Sequence, residues 1–181
     1  MLTVVPHLST RWIAGSQGQL LRLTPGAEPP ADPTPESLRR SGALFSAVLV
    51  TAEEILLLTD HLRSWPLFYA VHGGAVHVGE DAFSVADAIG GRTLDDAVAA
   101  EFLHTGYALG EGTLLRGVRQ VPAGTTVRID RATGAVSHRL DRRLRLRDPA
   151  GEDLDALTAS FAESLDAQMA KLYDRADGRV I

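Results

Sequence analysis

Apolar residues are densest between Gly42 and Thr59, where Ala43-Leu-Phe-Ser-Ala-Val-Leu-Val50 and Ile55-Leu-Leu-Leu58 flank the polar turn Thr51-Ala-Glu-Glu54. Short runs that are apolar throughout, bounded by a turn, predict two strands buried on both faces at the centre of a sheet. Arg11-Trp-Ile-Ala14 and Gln19-Leu-Leu-Arg-Leu23 read as a weaker hairpin, joined by Gly15-Ser-Gln-Gly18. Leu67-Phe-Tyr-Ala-Val71 and Ala75-Val-His-Val78 surround His72-Gly-Gly74, and a third hairpin turns through Arg131-Ala-Thr-Gly134 between Thr126-Val-Arg-Ile129 and Ala135-Val-Ser-His138. Helical periodicity is found three times. A short helix over 81–89 stops at Gly90-Gly91. One over 94–104 carries Leu94, Val98 and Phe102, with Thr93 as its cap and Asp96 three residues on. The longest, over 154–173, aligns Leu154, Leu157, Phe161, Leu165, Met169 and Leu172. Five prolines between Pro25 and Pro35 make that stretch a surface loop. Strands joined by hairpins, with no alternation of strand and helix, predict an α+β domain of antiparallel meanders.

Composition narrows the chemistry. The 181 residues, 45% hydrophobic and 23% charged, suffice for one domain with a core. Their 23 acids and 18 bases give a net charge of -5, which implies no nucleic-acid partner. Seventeen of the bases are arginine, and Lys171 is the one lysine. Cysteine is absent, so disulfides, thiolate metal sites and cysteine nucleophiles are excluded. No run approaches the roughly 20 apolar residues of a membrane helix. Met1-Leu-Thr-Val-Val-Pro6 lacks the basic flank of a secretory signal, so the expected location is cytoplasmic.

Several side-chain groupings suggest chemistry, and each has a plainer reading. His72 and His77 flank a Gly-Gly turn as metal ligands would, but no third ligand is spaced to join them. Gly106, Gly110 and Gly112 follow a helix rather than leading into one, and no Lys follows, unlike a phosphate cradle. Arg139, Arg142, Arg143, Arg145 and Arg147 could bind an anionic partner, or could be the charged outer row of an edge strand. Asp60, His61 and Ser64 are hydrolase-type residues without the Gly-x-Ser-x-Gly turn of a nucleophile elbow.

The order of segments is more specific than any of these. Gly42-Ala-Leu-Phe-Ser-Ala-Val-Leu49, the stretch from Leu56 through Asp60 and Pro66-Leu-Phe-Tyr69, then Glu101-Phe-Leu-His-Thr-Gly-Tyr107, and finally Gly112-Thr-Leu-Leu-Arg-Gly-Val-Arg-Gln-Val-Pro-Ala-Gly124 follow one another in that order. Together they resemble the amino-terminal glutaminase half of asparagine synthetases over about residues 38 to 140. The motif positions are Asp60, Pro66, Leu67, Tyr69, Gly106, Pro122 and Gly124.

The resemblance implies an N-terminal-nucleophile hydrolase fold, an αββα sandwich of two antiparallel sheets between helical layers. It implies a degenerate glutaminase-like domain over 1–150. Residues 151–181 would then be a helix and a strand, at Gly178-Arg-Val-Ile181, leading into an ATP-pyrophosphatase (synthetase) domain absent from the chain. Active relatives use a cysteine exposed by loss of Met1, its α-amino group acting as base. Leu2 stands in that place and offers no nucleophile; Thr3 could substitute only after cleavage past Leu2. The family's Arg-Leu-Ser and Gly-Glu-x-Tyr-Asn stretches, which hold the glutamine carboxylate and the oxyanion, read as having no counterpart between Trp12 and Ser41, so no catalytic residue is expected.

The resemblance therefore implies a silent domain of an asparagine-synthetase-like, ATP-dependent amide ligase. Its cysteine-less branch, like β-lactam synthetases and lasso-peptide cyclases, closes an amide on an internal amine. ATP and magnesium are expected for the full-length enzyme and none in this chain. The expected partners are a missing or separate carboxy-terminal synthetase domain, a substrate peptide or a second copy bound through the 154–172 stripe. The alternative is a free-standing module that holds a partner ligase chain or a substrate peptide.

The Asp60 turn carries an expectation of its own. Asp60 should accept backbone N–H bonds inside it, and Arg63, near the place of a family glycine, should need either a rearranged turn or an unusual backbone.

Overall fold

The computed structural model describes residues 1–15, 18–141, 151 and 153–175, and the chain divides into two compact units, Met1–Arg143 and Leu144–Ile181. Among the described residues the first unit contains ten strands and three helices. In chain order they are β1 (Thr3–His7), β2 (Ile13–Ala14), β3 (Leu20–Leu23), α1 (Pro35–Arg40), β4 (Phe45–Val50), β5 (Glu54–Thr59), β6 (Phe68–His72), β7 (Ala75–Gly79), α2 (Ala82–Ala88), α3 (Asp96–Thr105), β8 (Arg119–Gln120), β9 (Thr125–Asp130) and β10 (Val136–Leu140). They form a six-stranded sheet, β10-β9-β5-β4-β3-β2, and a four-stranded sheet, β1-β7-β6-β8.

The unbroken apolar runs of β4 and β5 follow from cover on both faces of their sheet. Val48, Ile55 and Leu57 face a core shared with Leu67 and with Tyr69, Val76 and Val78 of the four-stranded sheet. Their alternate neighbours Phe45, Ala47, Leu49 and Leu58 pack on Leu38 of α1. On the far side of the four-stranded sheet Ala70 packs on Val85 and Ala86 of α2. The first unit is thus a mixed α+β arrangement of two stacked sheets with a short helix on each outer face.

Four features differ from the sequence reading. The four-stranded sheet is not purely antiparallel, because β1 pairs in parallel with β7, Thr3 opposite Ala75 through His7 opposite Gly79. A five-residue run containing Pro6 carries little strand signal, and a proline fits only because β1 lies at a sheet edge. The end of the proline-rich loop becomes α1, where Pro35 sits at the first helical position. The Thr34 hydroxyl accepts from Ser37 N, and the Ser37 hydroxyl accepts from Thr34 N. The two-residue β8 pairs with β6, too short to signal itself.

Finally, α3 starts later than its periodicity suggests and is capped by Asp95, not Thr93. Asp95 Oδ1 accepts from Ala97 N and Val98 N, while Thr93 O accepts from Arg116 N and Leu94 bridges to Leu115. Tertiary pairing takes the residues that local capping would have used. No residue of α3 is buried, so its apolar spacing does not face the core.

The described residues of the second unit include a 22-residue helix, α4 (Leu154–Arg175), which places Leu154, Leu157, Phe161, Leu165 and Met169 along one side. The readings of Ser16-Gln17 as turn residues, of Arg142, Arg143, Arg145 and Arg147 as an anion site or strand, and of Gly178–Ile181 as a strand lie outside the described residues, as does the Leu172 side chain.

Candidate functional site

The chain crosses between the sheets twice in the region of the family-like motifs, from β5 to β6 through residues 60–67 and from β8 to β9 through residues 121–124. Asp60 sits at the first crossing and is only 3% exposed. Its Oδ1 accepts from Leu62 N (2.7 Å) and the Ser64 hydroxyl (3.2 Å). Its Oδ2 accepts from Phe45 N (3.0 Å) and Ser64 N (3.3 Å). The carboxylate therefore prolongs the β4–β5 ladder by one pair and also folds the turn. Arg63 has φ 55, in the left-handed region that costs a side-chain-bearing residue about 1 kcal/mol. Its guanidinium lies 5.2 Å from the Phe68 ring centroid, and burial pulls its pKa down.

The two crossings are bonded together. Gly124 N donates to Asp60 O (2.8 Å), the Thr59 hydroxyl to Pro122 O (2.7 Å), and Val121 N to Leu67 O (2.8 Å). Gly124 takes φ 60 there. Pro66 follows Trp65, whose carbonyl accepts from the Ser46 hydroxyl at 2.5 Å. A 300 Å³ cavity beside Asp60 is lined by Arg39, Gly42, His61 and Asp141 among others, and the Arg39–Asp141 ion pair also engages the Thr126 hydroxyl. Asp60, Pro66, Leu67, Pro122 and Gly124 thus form one joint, with Tyr69 on the strand that leaves it. Gly106 does not belong to it: with φ 82 it ends α3, its N–H donating to Phe102 O.

Tyr69 is 1% exposed, and its hydroxyl meets no partner at full hydrogen-bond geometry among the described residues, the Arg119 side chain being the donor nearest to making one. Burial pushes its pKa up to about 12, Glu111 adding to the rise and Arg119 opposing it. Removing an unpaired buried hydroxyl removes a desolvation cost, so Tyr69→Phe is expected to stabilise the fold by about 1 kcal/mol, read from denaturant midpoints.

Leu2 is tied by its backbone: its N–H donates to Arg131 O (2.8 Å), and its carbonyl accepts from Arg131 Nε (3.0 Å). Its side chain packs against the inter-sheet core. Thr3 lies exposed on β1.

A second network lies at the end of β7. Glu80 Oε1 accepts from Ser9 N (3.2 Å), and Oε2 from Trp12 Nε1 (3.1 Å) and Arg22 NH1 (2.6 Å). The Arg22 guanidinium lies 5.3 Å from the Trp65 ring centroid, beside a 480 Å³ cavity that also touches Arg11 and Pro25. Sequence reasoning passed over this group. Arg22-Leu23-Thr24 differs from the Arg-Leu-Ser stretch only in Thr for Ser. Burial raises the Glu80 pKa, but the bonds from Ser9 and Trp12 and the charge of Arg22 outweigh it and hold it below the ordinary carboxylate value.

A depressed carboxylate pKa gives stability that is present above the unfolded value and lost as pH falls through the folded one. Wild type is therefore expected to lose more stability than Glu80→Gln on going from about pH 5 to about pH 3, measured by denaturant midpoints at each pH.

His72 and His77, the pair that the sequence spacing suggested, stand diagonally across the β6–β7 ladder, His77 being opposite Ala70. His72 pairs with Ala75, and the His77 ring lies instead against His7 of β1, with His7 Nε2 to His77 Nδ1 at 3.3 Å and the ring centroids 5.6 Å apart. Burial and the charges of His7 and His72 lower the His77 pKa, the His72 backbone acting the other way. Among the described residues no three His, Cys, Asp or Glu side chains gather as metal ligands, and no helix is long and apolar enough to cross a membrane.

Over 130 residues the chain is 33% identical to carboxyethyl-arginine beta-lactam-synthase of Streptomyces clavuligerus, a match that takes in 67% of this chain and 22% of that protein. That similarity points to the asparagine-synthetase-like family. No family profile matches the chain. The chain spans less than a quarter of its relative's length, and the two-sheet architecture is compatible with the sandwich that the resemblance implies.

Proposed function

We propose that this chain is a catalytically silent glutaminase-like domain, of the N-terminal-nucleophile αββα type, from an ATP-dependent amide-forming ligase that closes a β-lactam or a peptide macrolactam. The similarity to a β-lactam synthase carries the reading, and the absence of cysteine with Leu2 at the usual nucleophile position supports its silence. Glu80 adds to that support, because its carboxylate already accepts from NH1 of Arg22 and so competes for that guanidinium with any substrate carboxylate. Residues 1–150 form the domain in this reading, and α4 begins the ligase portion. The described residues do not fit ATP and magnesium, since they gather no three acidic or histidine ligands and no glycine loop leads into a helix with a lysine. In this reading those cofactors belong to the ligase portion.

The alternative, a free-standing module that holds a ligase chain or a substrate peptide, draws support from α3 and the turn after it, where Leu103 is 85% and Tyr107 59% exposed. The coding sequence beyond residue 181 separates the two. A Ser-Gly-Gly-x-Asp-Ser loop in frame is expected, and a stop codon would favour the free module.

A further inference from the structure

We propose that α4 pairs antiparallel with α4 of a second copy of this chain, Phe161 of one copy lying against Leu165 of the other. Leu154, Leu157, Phe161, Leu165 and Met169 are exposed, and no other described element of their unit covers them. A 22-residue helix carrying such a stripe is marginal in water until the stripe is buried. The sequence puts leucine at 172, so the apolar positions follow one another at steps of three, four, four, four and three residues. The series reads the same from either end, with Glu163 at its centre. Two copies related by a two-fold axis through that centre therefore meet apolar position to apolar position, Leu157 opposite Met169 and Phe161 opposite Leu165. The steps average about 3.6 residues, one helical turn, so the stripe runs straight along α4. Glu163, two residues from both Phe161 and Leu165, lies on the opposite side of the helix, and the two copies' carboxylates do not meet.

The flanking residues select the antiparallel orientation. Asp153, whose carbonyl accepts from Leu157 N (3.0 Å), and Lys171 are eighteen residues apart, which is five turns, so they share one edge of the stripe at opposite ends. Asp155 and Tyr173, also eighteen apart, share the other edge. Antiparallel helices bring like edges together with their ends reversed. Asp153 then lies beside Lys171 of the second copy, and Asp155 beside Tyr173 of the second copy, whose hydroxyl is a donor for that carboxylate. Parallel helices would bring unlike edges together at the same end and set Asp153 beside Asp155 of the second copy, a like-charge contact. The helix dipoles favour the same choice, each positive end lying by the other's negative end. The pairing goes beyond the ligase reading and does not rest on it.

Sedimentation equilibrium of the purified chain over a dilution series tests this. Wild type is expected to approach twice the mass of one chain, with the dissociation constant raised at least tenfold in Phe161→Ala and in Leu165→Ala and unchanged in Leu103→Ala, whose leucine lies on α3. Alanine has the highest helix propensity, so neither α4 variant weakens the helix itself. Because the chain has no cysteine, orientation can be read from disulfides between introduced ones. An oxidised mixture of Leu157→Cys and Met169→Cys is expected to give the mixed cross-link, identified by mass spectrometry, and either variant alone is expected to give none. In the antiparallel pair the two copies of position 157 stand about 18 Å apart along the axis, far beyond the reach of a disulfide. A single-chain mass at every concentration, a dimer that Phe161→Ala and Leu165→Ala leave unweakened, or cross-linking of Leu157→Cys with itself would each overturn the proposal. The first is the result if another surface covers the stripe.

Discussion

Asp60→Ala is expected to lower the unfolding free energy by about 3 to 5 kcal/mol, which for a domain of this size is a large share of its stability. The carboxylate accepts from three backbone N–H groups, of Phe45, Leu62 and Ser64, and from the Ser64 hydroxyl. Each buried donor left without a partner costs about 1–3 kcal/mol, and the Phe45 amide is the one least able to find water in exchange. Leu62 is exposed and recovers part of its loss, which keeps the total below the sum of three. Asp60→Asn keeps one acceptor oxygen and should cost about half as much. Chemical denaturation of the three proteins distinguishes a joint from a vestigial ligand site: an Asp60→Ala midpoint equal to wild type would mean that the carboxylate holds nothing in place.

Much of the fold was legible because its strands signal locally. The runs around Ala43–Val50 and Ile55–Leu58 became the central strands β4 and β5, and Gly73 and Gly74, at φ 57 and 77, make the tight β6–β7 turn that the Gly-Gly pair suggested. The misses share one cause, which is that long-range pairing decided them. β1 exists because β7 offers it a parallel edge, β8 because β6 does, and the start of α3 moved because residues 114–116 claimed Thr93, Leu94 and Asp95 N. None of these partners lies within the window that a local pattern spans.

The site was legible in its residues more than in its connections. Asp60 and Arg63 could be singled out as special positions, and Arg63 does adopt the unusual backbone, at φ 55. That Asp60, Leu67, Pro122 and Gly124 meet follows from two sheet crossings lying side by side, which needs the topology. The Arg22–Glu80 pair spans 58 residues and the His7–His77 pair 70, so neither has any spacing to read. Arg22-Leu23-Thr24 is different. It differs from Arg-Leu-Ser in one residue, a likeness that is local and readable from sequence.

The purified chain is expected to release no ammonia from L-glutamine, and installing the missing nucleophile as Leu2→Cys is expected not to restore it. Amide cleavage by this chemistry needs a thiolate, a free α-amine to take its proton, and donors that hold the substrate carboxylate and the developing oxyanion. Leucine supplies no attacking atom, and with Met1 in place its nitrogen is an amide whose hydrogen is donated to Arg131 O rather than a free base. A cysteine at position 2 would supply the sulfur and, after removal of Met1, the amine. It would still face an Arg22 engaged by Glu80, in a chain with no Gly-Glu-x-Tyr-Asn stretch. Ammonia release from glutamine is therefore the most direct measurement of the central claim, followed with wild type and Leu2→Cys against a heat-inactivated control. Rates equal to the control for both are predicted, and turnover above it by wild type would contradict the reading of a silent glutaminase-like domain.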